Sequence, residues 1–163
     1  MQTIFFEKNS EIKRTKEELE KKLNVKIEID GRKVIVEGGP FEEYIASVVL
    51  DAMRFGFSAH KALILKDDRN IFRTVSIKDN THKKKLKEVR ARIIGKNGKT
   101  KKTIENITNC EVIINNNEVG IIGEAESIEE VITAVSNLVR GTKQSNTYKY
   151  LEKMNKRKKD VIE

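Results

Sequence analysis

One cysteine, no tryptophan and two histidines among 163 residues remove several classes of protein at the outset. A lone Cys110 cannot close a disulfide within the chain, and its apolar run (Cys110-Glu111-Val112-Ile113-Ile114) reads as a strand carrying a buried thiol in a reducing cytoplasm. His60 and His82 have no cysteine or carboxylate around them at metal-ligand spacing, and no Ser/His/Asp or Cys/His pattern is present. Asp67-Asp68 reads as a turn device rather than an acid/base pair. No metal site, no cofactor and no catalytic centre are expected; the chain reads as a non-enzyme. Aromatic residues make up 6% of the chain, so stacking platforms are few. No apolar stretch is long and uninterrupted enough to span a bilayer, and Met1-Gln2-Thr3-Ile4-Phe5-Phe6, lacking a basic start and a cleavage site, reads as an edge strand.

Positive charge is abundant and unevenly placed. The formal net charge is +8, yet residues 1–66 hold twelve Lys/Arg against eleven Asp/Glu, while residues 67–163 hold twenty-one against fourteen. Between Thr81 and Lys102 there are ten basic residues and one acid, Glu88. Such a run alone describes a solvated helix face as well as it describes a footprint for a polyanion. What favours the polyanion is an overlap with Gly95-Lys96-Asn97-Gly98.

Two glycines three apart let a backbone turn sharply and let a phosphate approach without meeting a Cβ. A helix beginning after Gly98 would aim its free N–H groups and the positive end of its dipole at that phosphate. Gly98-Lys99-Thr100 reads like the end of a P-loop, but the first P-loop glycine would fall on Ile93, and a strand would have to feed the loop. Instead Leu86, Val89 and Ile93 lie at helical spacing after Thr81 as N-cap. A nucleotide-binding ATPase or GTPase is therefore set aside. Helix–GxxG–helix resembles the clamp of a KH domain, which holds about four nucleotides of single-stranded nucleic acid by their backbone.

The flanks complete the pattern. Arg73–Ile77 predicts a strand, Ile104 and Ile107 a helical face up to Asn109, and Cys110–Ile114 a second strand. Asn115–Asn117 turns, Glu118–Ile122 returns, and Ile128, Val131, Ile132, Val135, Leu138 and Val139 mark an amphipathic helix. The order is that of a type I KH domain. The first half of the chain repeats it: a helix with Leu19 and Leu23, strands about an Asp30-Gly31 hairpin, and a helix carrying Phe41, Tyr44, Ile45, Val48, Val49 and Ala52 on one face. Leu19, Asn24 and Gly38 correspond to Ile104, Asn109 and Gly123 at a constant offset of 85. The same offset places Ser10-Glu11-Ile12-Lys13 where the clamp should be, with no glycine, a β-branched residue and a carboxylate. The fold expected is α+β: two tandem type I KH-like domains, each a three-stranded sheet packed against helices, the first degenerate. Its boundaries are 1–66 for a packing or partner-binding module, 67–145 for the RNA-binding domain, and 146–163 for a basic tail or helix.

The run Arg92-Ile93-Ile94-Gly95-Lys96-Asn97-Gly98-Lys99-Thr100-Lys101-Lys102-Thr103-Ile104-Glu105-Asn106, with Gly56–Leu63 and Leu65–Asp68 upstream, resembles the signature of the partner-of-Nob family of KH-domain ribosome assembly factors. The likeness covers essentially the whole chain, more clearly in its second half. A long N-terminal extension typical of eukaryotic members is lacking, which suggests an archaeal version. The resemblance implies a cytoplasmic, non-catalytic factor that binds the 3′ region of small-subunit rRNA as a single strand, late in maturation. It also implies as partners the endonuclease that trims that end, the dimethyladenosine transferase that modifies it, and the alpha subunit of translation initiation factor two. Asn97 departs from the glycine that many relatives carry; asparagine tolerates unusual backbone angles and keeps the loop polar.

In that setting Gly95 and Gly98 give the RNA backbone close access, and Lys96, Lys99, Lys101 and Lys102 neutralise it. Arg92 supports the approach, and Asn97 and Thr100 complete the loop. Ile94 and Ile104 form an apolar floor, although core packing describes Ile104 equally well. The edge of the strand ending at Ile114 offers backbone groups to the bases. The segment Tyr148–Lys159 is either a solvated tail or an rRNA-contacting arm. Two other functions fit the same residues: a general KH protein of RNA turnover or translational control, and a protein–protein scaffold built on the first domain.

Overall fold

The computed structural model describes residues 1–82 and 84–162, so Lys83 of the basic run lies outside the described residues. The chain divides into two compact units, Met1–Asn70 and Ile71–Glu163. The division falls a few residues beyond 66 because the intervening turn belongs to the first unit: Asp67 accepts from the backbone N–H of Arg69 and from its guanidinium, and Asn70 donates to Ile64 O. The Arg69 guanidinium holds the Asp67 carboxyl down at about 2, as a turn-forming ion pair does.

In the first unit the elements are β1 (Gln2–Phe5), α1 (Ser10–Leu23), β2 (Lys26–Asp30), β3 (Lys33–Glu37), α2 (Pro40–Phe55) and α3 (Ala59–Ala62), closed by a 3-10 turn over Leu63–Lys66. The antiparallel sheet has the order β1-β3-β2, with Ile27 opposite Val36 and Ile4 opposite Val34. Alternation sets its buried face: Ile27 is buried between exposed Lys26 and Glu28, and Val34 and Val36 are buried on either side of half-buried Ile35. Ile12, Thr15, Leu19 and Leu23, at helical spacing, give α1 its buried stripe. In α2, Pro40 opens the helix, Glu42 and Glu43 occupy its first turn, and the buried face is Ala46, Val49, Leu50, Ala52 and Met53. Phe41 and Tyr44, expected on that face, are 69% and 61% exposed; they lie in the first two turns, where the stripe veers off the core.

The second unit runs β4 (Asn70–Ser76), α4 (Leu86–Ile94), α5 (Lys99–Thr108), β5 (Glu111–Asn115), β6 (Glu118–Glu124), α6 (Ala125–Arg140) and α7 (Gln144–Ile162). Its sheet has the order β4-β6-β5, which repeats the first. One core holds Val75, Ile77, Val89, Ile93, Ile104, Val112, Val119, Ile121, Val131, Val135 and Leu138. The helix predicted from Thr81 begins instead at Leu86: a 3-10 turn spans Lys78–Asn80, and consecutive lysines oppose the positive end of a helix dipole. The C-terminal stretch is a helix docked on its unit. Leu151 is fully buried, Thr147 nearly so, and Lys158 pairs with Glu130 at 2.7 Å and donates to Ser127 Oγ at 3.0 Å.

The offset of 85 holds in three dimensions. Asn24 and Asn109 end α1 and α5 in the left-handed region at φ 54° and 56°. Glu20 Oε2 accepts the backbone N–H of Ile27 at 3.0 Å, and Glu105 Oε2 accepts that of Val112 at 3.1 Å. A Cβ on Gly38 would press on Val25, and one on Gly123 would press on Cys110, again 85 residues apart. The units differ where the loop should be. In the first, Ser10-Glu11-Ile12-Lys13 is the opening turn of an unbroken α1, with Ile12 in the core, and no helix stands between Phe5 and Ser10. Glu11 accepts there from Arg14 at 2.6 Å and from the Ala59 N–H at 3.1 Å, contacts that hold its carboxyl below the usual range.

Candidate nucleic-acid interface

In the second unit α4 stops and α5 starts across the four residues of the loop. Gly95 has φ 78° and ψ 170°, Asn97 has φ 58°, and Gly98 has φ 74° and ψ 12°. Gly95 N–H donates to Ala91 O and closes α4, while Gly98 N–H donates to Gly95 O and tightens the turn. Gly98 gives the start of α5 no side-chain cap, and the Lys99 N–H donates to Lys96 O within the turn. Asn97 takes the left-handed conformation that glycine, asparagine and aspartate adopt more readily than other residues.

The two glycines do different work. A Cβ on Gly95 would fall 2.6 Å from the backbone N of Thr100, so its bareness lets the loop lie against the first turn of α5. A Cβ on Gly98 would meet nothing within 4 Å. Gly98 therefore supplies the open face expected of both. Thr100, expected to touch RNA, is 4% exposed and wedged under Gly95; it holds the loop to its helix.

Of the cations expected here, Lys96, Lys99 and Lys102 are exposed on the loop and the start of α5. Lys101 differs, since its Nζ is 3.4 Å from Glu105 Oε1 and its charge is matched within the unit. Arg92 donates to Thr142 O at 2.7 Å, which fastens α4 to the turn after α6, so this side chain supports the loop from behind. Of the two residues expected as an apolar floor, Ile94 is 38% exposed beside the loop, whereas Ile104 is fully buried on the α5 face that packs into the core. Ile114 is half-buried on β5, an edge strand that pairs only with β6. Val112 N–H points to the outer edge, toward Glu105, so the two-residue period turns the N–H and C=O of Ile114 to that edge as well. The loop leads directly into α5, and Glu105 on that helix bonds the edge of β5 at Val112.

Glu105 was not among the residues singled out from sequence. Its signal was the repeat itself: Glu20 recurs 85 residues on as Glu105, each seven residues before an apolar strand position, Ile27 or Val112.

A sheet of this order, with helices meeting at a GxxG loop, defines the type I KH class of nucleic-acid-binding domains. The model of the second KH domain of PNO1 proteins, described as a eukaryotic-type KH domain (type I), matches residues 71–156. A KH domain-containing protein of Methanocaldococcus jannaschii is 31% identical over 157 residues, covering 92% of this chain and 68% of that protein. RNA-binding protein pno1 of Drosophila pseudoobscura is 30% identical over 135 residues, 78% of this chain and 57% of the fly protein. A chain in the crystal structure of an a/eIF2alpha–aDim2p–rRNA complex from Pyrococcus horikoshii superposes with a TM-score of 0.83 at 28% identity, covering 96% of this chain and 94% of that one. The chain belongs to the PNO1 family of KH-domain proteins, a family of RNA-binding ribosome assembly factors and not of enzymes. No helix among the described residues is long and apolar enough to cross a membrane.

Proposed function

We propose that this chain grips the 3′ region of small-subunit rRNA, as a single strand, through the GxxG loop of its second unit during late pre-rRNA processing in the cytoplasm. The observation that carries the reading is the contrast between the units. The same position is an uncapped helix start with open Gly98 and exposed Lys96, Lys99 and Lys102 in one, and a continuous helix with a carboxylate in the other. Phosphate contacts at the loop fix the register of the strand, and the β5 edge beside Ile114 addresses the bases. The Pyrococcus complex, which contains rRNA and a/eIF2alpha, supports both the RNA class and the alpha subunit of translation initiation factor two as a partner. The endonuclease that trims the rRNA end and the dimethyladenosine transferase are the further partners of this reading. Crosslinking the protein to RNA in cells tests it: protected nucleotides should concentrate near the small-subunit rRNA 3′ end. A spread over many unstructured RNAs would indicate a general KH protein instead.

A further inference from the structure

Where bases would be read, one side chain already stands. Glu105 Oε2 accepts the Val112 N–H at 3.1 Å, and Oε1 lies 3.4 Å from Lys101 Nζ. The Glu105 side chain is 17% exposed, so the carboxylate reaches the surface beside the strand edge. The bond to Val112 is part of the fold, since Glu20 makes the same bond to Ile27 in the unit without a loop. Each carboxylate oxygen then accepts one hydrogen bond, Oε2 from Val112 and Oε1 from Lys101, and each keeps one lone pair. About 7 Å further along β5, the Ile114 N–H and C=O face the same edge. In order, the edge presents a carboxylate acceptor, the Val112 carbonyl acceptor and the Ile114 N–H donor. Lys101 offsets the charge that would otherwise repel an approaching polyanion.

We infer that Glu105 is a specificity-determining residue of this groove, whose carboxylate accepts an exocyclic amino group and so favours cytosine, adenine or guanine over uracil at the nucleotide facing it. The inference rests on the RNA-binding reading of this site. An ionised carboxylate only accepts hydrogen bonds, and the exocyclic amino groups of cytosine (N4), adenine (N6) and guanine (N2) donate. Uracil has no amino group, and its two carbonyl oxygens would face the carboxylate with like charge. Were Lys101 the reader instead, uracil would lose this disadvantage, because its carbonyl oxygens accept from an ammonium.

The test uses the full chain and a panel of labelled octauridylates in which one position at a time is changed to cytosine, adenine or guanine. At one position a base that carries an amino group (cytosine, adenine or guanine) should bind about tenfold more tightly than uracil, the discrimination expected of one good base contact. Glu105→Gln keeps an acceptor for the Val112 N–H but places an amide donor within reach of the base, and should bring that ratio to about one. Lys101→Gln should weaken binding to every oligomer together while keeping the preference. An unchanged preference in Glu105→Gln, tight binding without any preference, or a preference for uracil would overturn this inference alone. No binding to any oligomer would overturn the RNA-binding reading and this inference with it.

Discussion

Replacing the two loop glycines one at a time separates holding the loop from opening it. In Gly95→Ala, the backbone at φ 78° and ψ 170° lies in a region that is essentially glycine's own, which costs about 1–3 kcal/mol. The new Cβ would also stand 2.6 Å from the Thr100 backbone N, a contact that no side-chain rotation relieves, and overpacking of this kind adds roughly 1–3 kcal/mol. In Gly98→Ala the Cβ meets nothing, and left-handed strain at φ 74° costs only about 1 kcal/mol. Since a domain's whole stability is about 5–15 kcal/mol, the first change should be severe and the second mild. Urea unfolding should show Gly95→Ala losing about 2–6 kcal/mol, with Gly98→Ala near the low end of that range or below it. Titration with a single-stranded oligomer should show Gly98→Ala losing affinity despite its intact fold, because the methyl occupies the approach of the phosphate chain. Equal stability losses, or full RNA affinity in Gly98→Ala, would refute the division of roles between the glycines.

The docked C-terminal helix and the buried thiol give further expectations. Leu151→Ala removes a fully buried side chain from α7 and should cost about 2–5 kcal/mol, read as a lowered urea midpoint; a change within about 0.5 kcal/mol would mean that α7 adds nothing to the core. Burial pushes the Cys110 thiol above its ordinary value of 9.0. The folded state therefore keeps its proton after the unfolded state has lost it, and the contribution is whole below that value and declines as pH rises past it. Comparing Cys110→Ser with the unsubstituted chain between neutral and strongly basic pH checks the sign: the difference in stability between the two should shrink on the basic side.

Much of this fold was legible because the amphipathic stripes were long and the turns carried glycine or asparagine. Leu19 and Leu23 of α1, the alternation about Asp30-Gly31, and the stripe of α6 each specify one buried face. The loop was legible as a motif, and the 85-residue repeat exposed the unit that lacks it. Other features were hidden because sequence spacing does not show which way a side chain points. Ile94 and Ile104 look alike as letters, yet one ends a helix at the surface and the other faces the core. Lys101 reads like its neighbours until Glu105, one turn on, is seen to pair with it. Arg92 is committed to Thr142 O, fifty residues away, and no local pattern announces such a bond. The docking of the C-terminal helix was hidden because its buried residues, Thr147 and Leu151, are few among many lysines.

The claim on which the account turns is that the Gly95–Gly98 loop grips an RNA backbone. Its most direct test compares the unsubstituted chain with Lys96→Asp/Asn97→Asp in titrations with a single-stranded RNA oligomer over a range of salt. Both positions are exposed, so folding should be unaffected. The double change should weaken binding at low salt at least about tenfold and flatten the slope of log K against log salt by about one, as expected when a phosphate contact is lost. Affinity and salt slope both equal to those of the unsubstituted chain would contradict it.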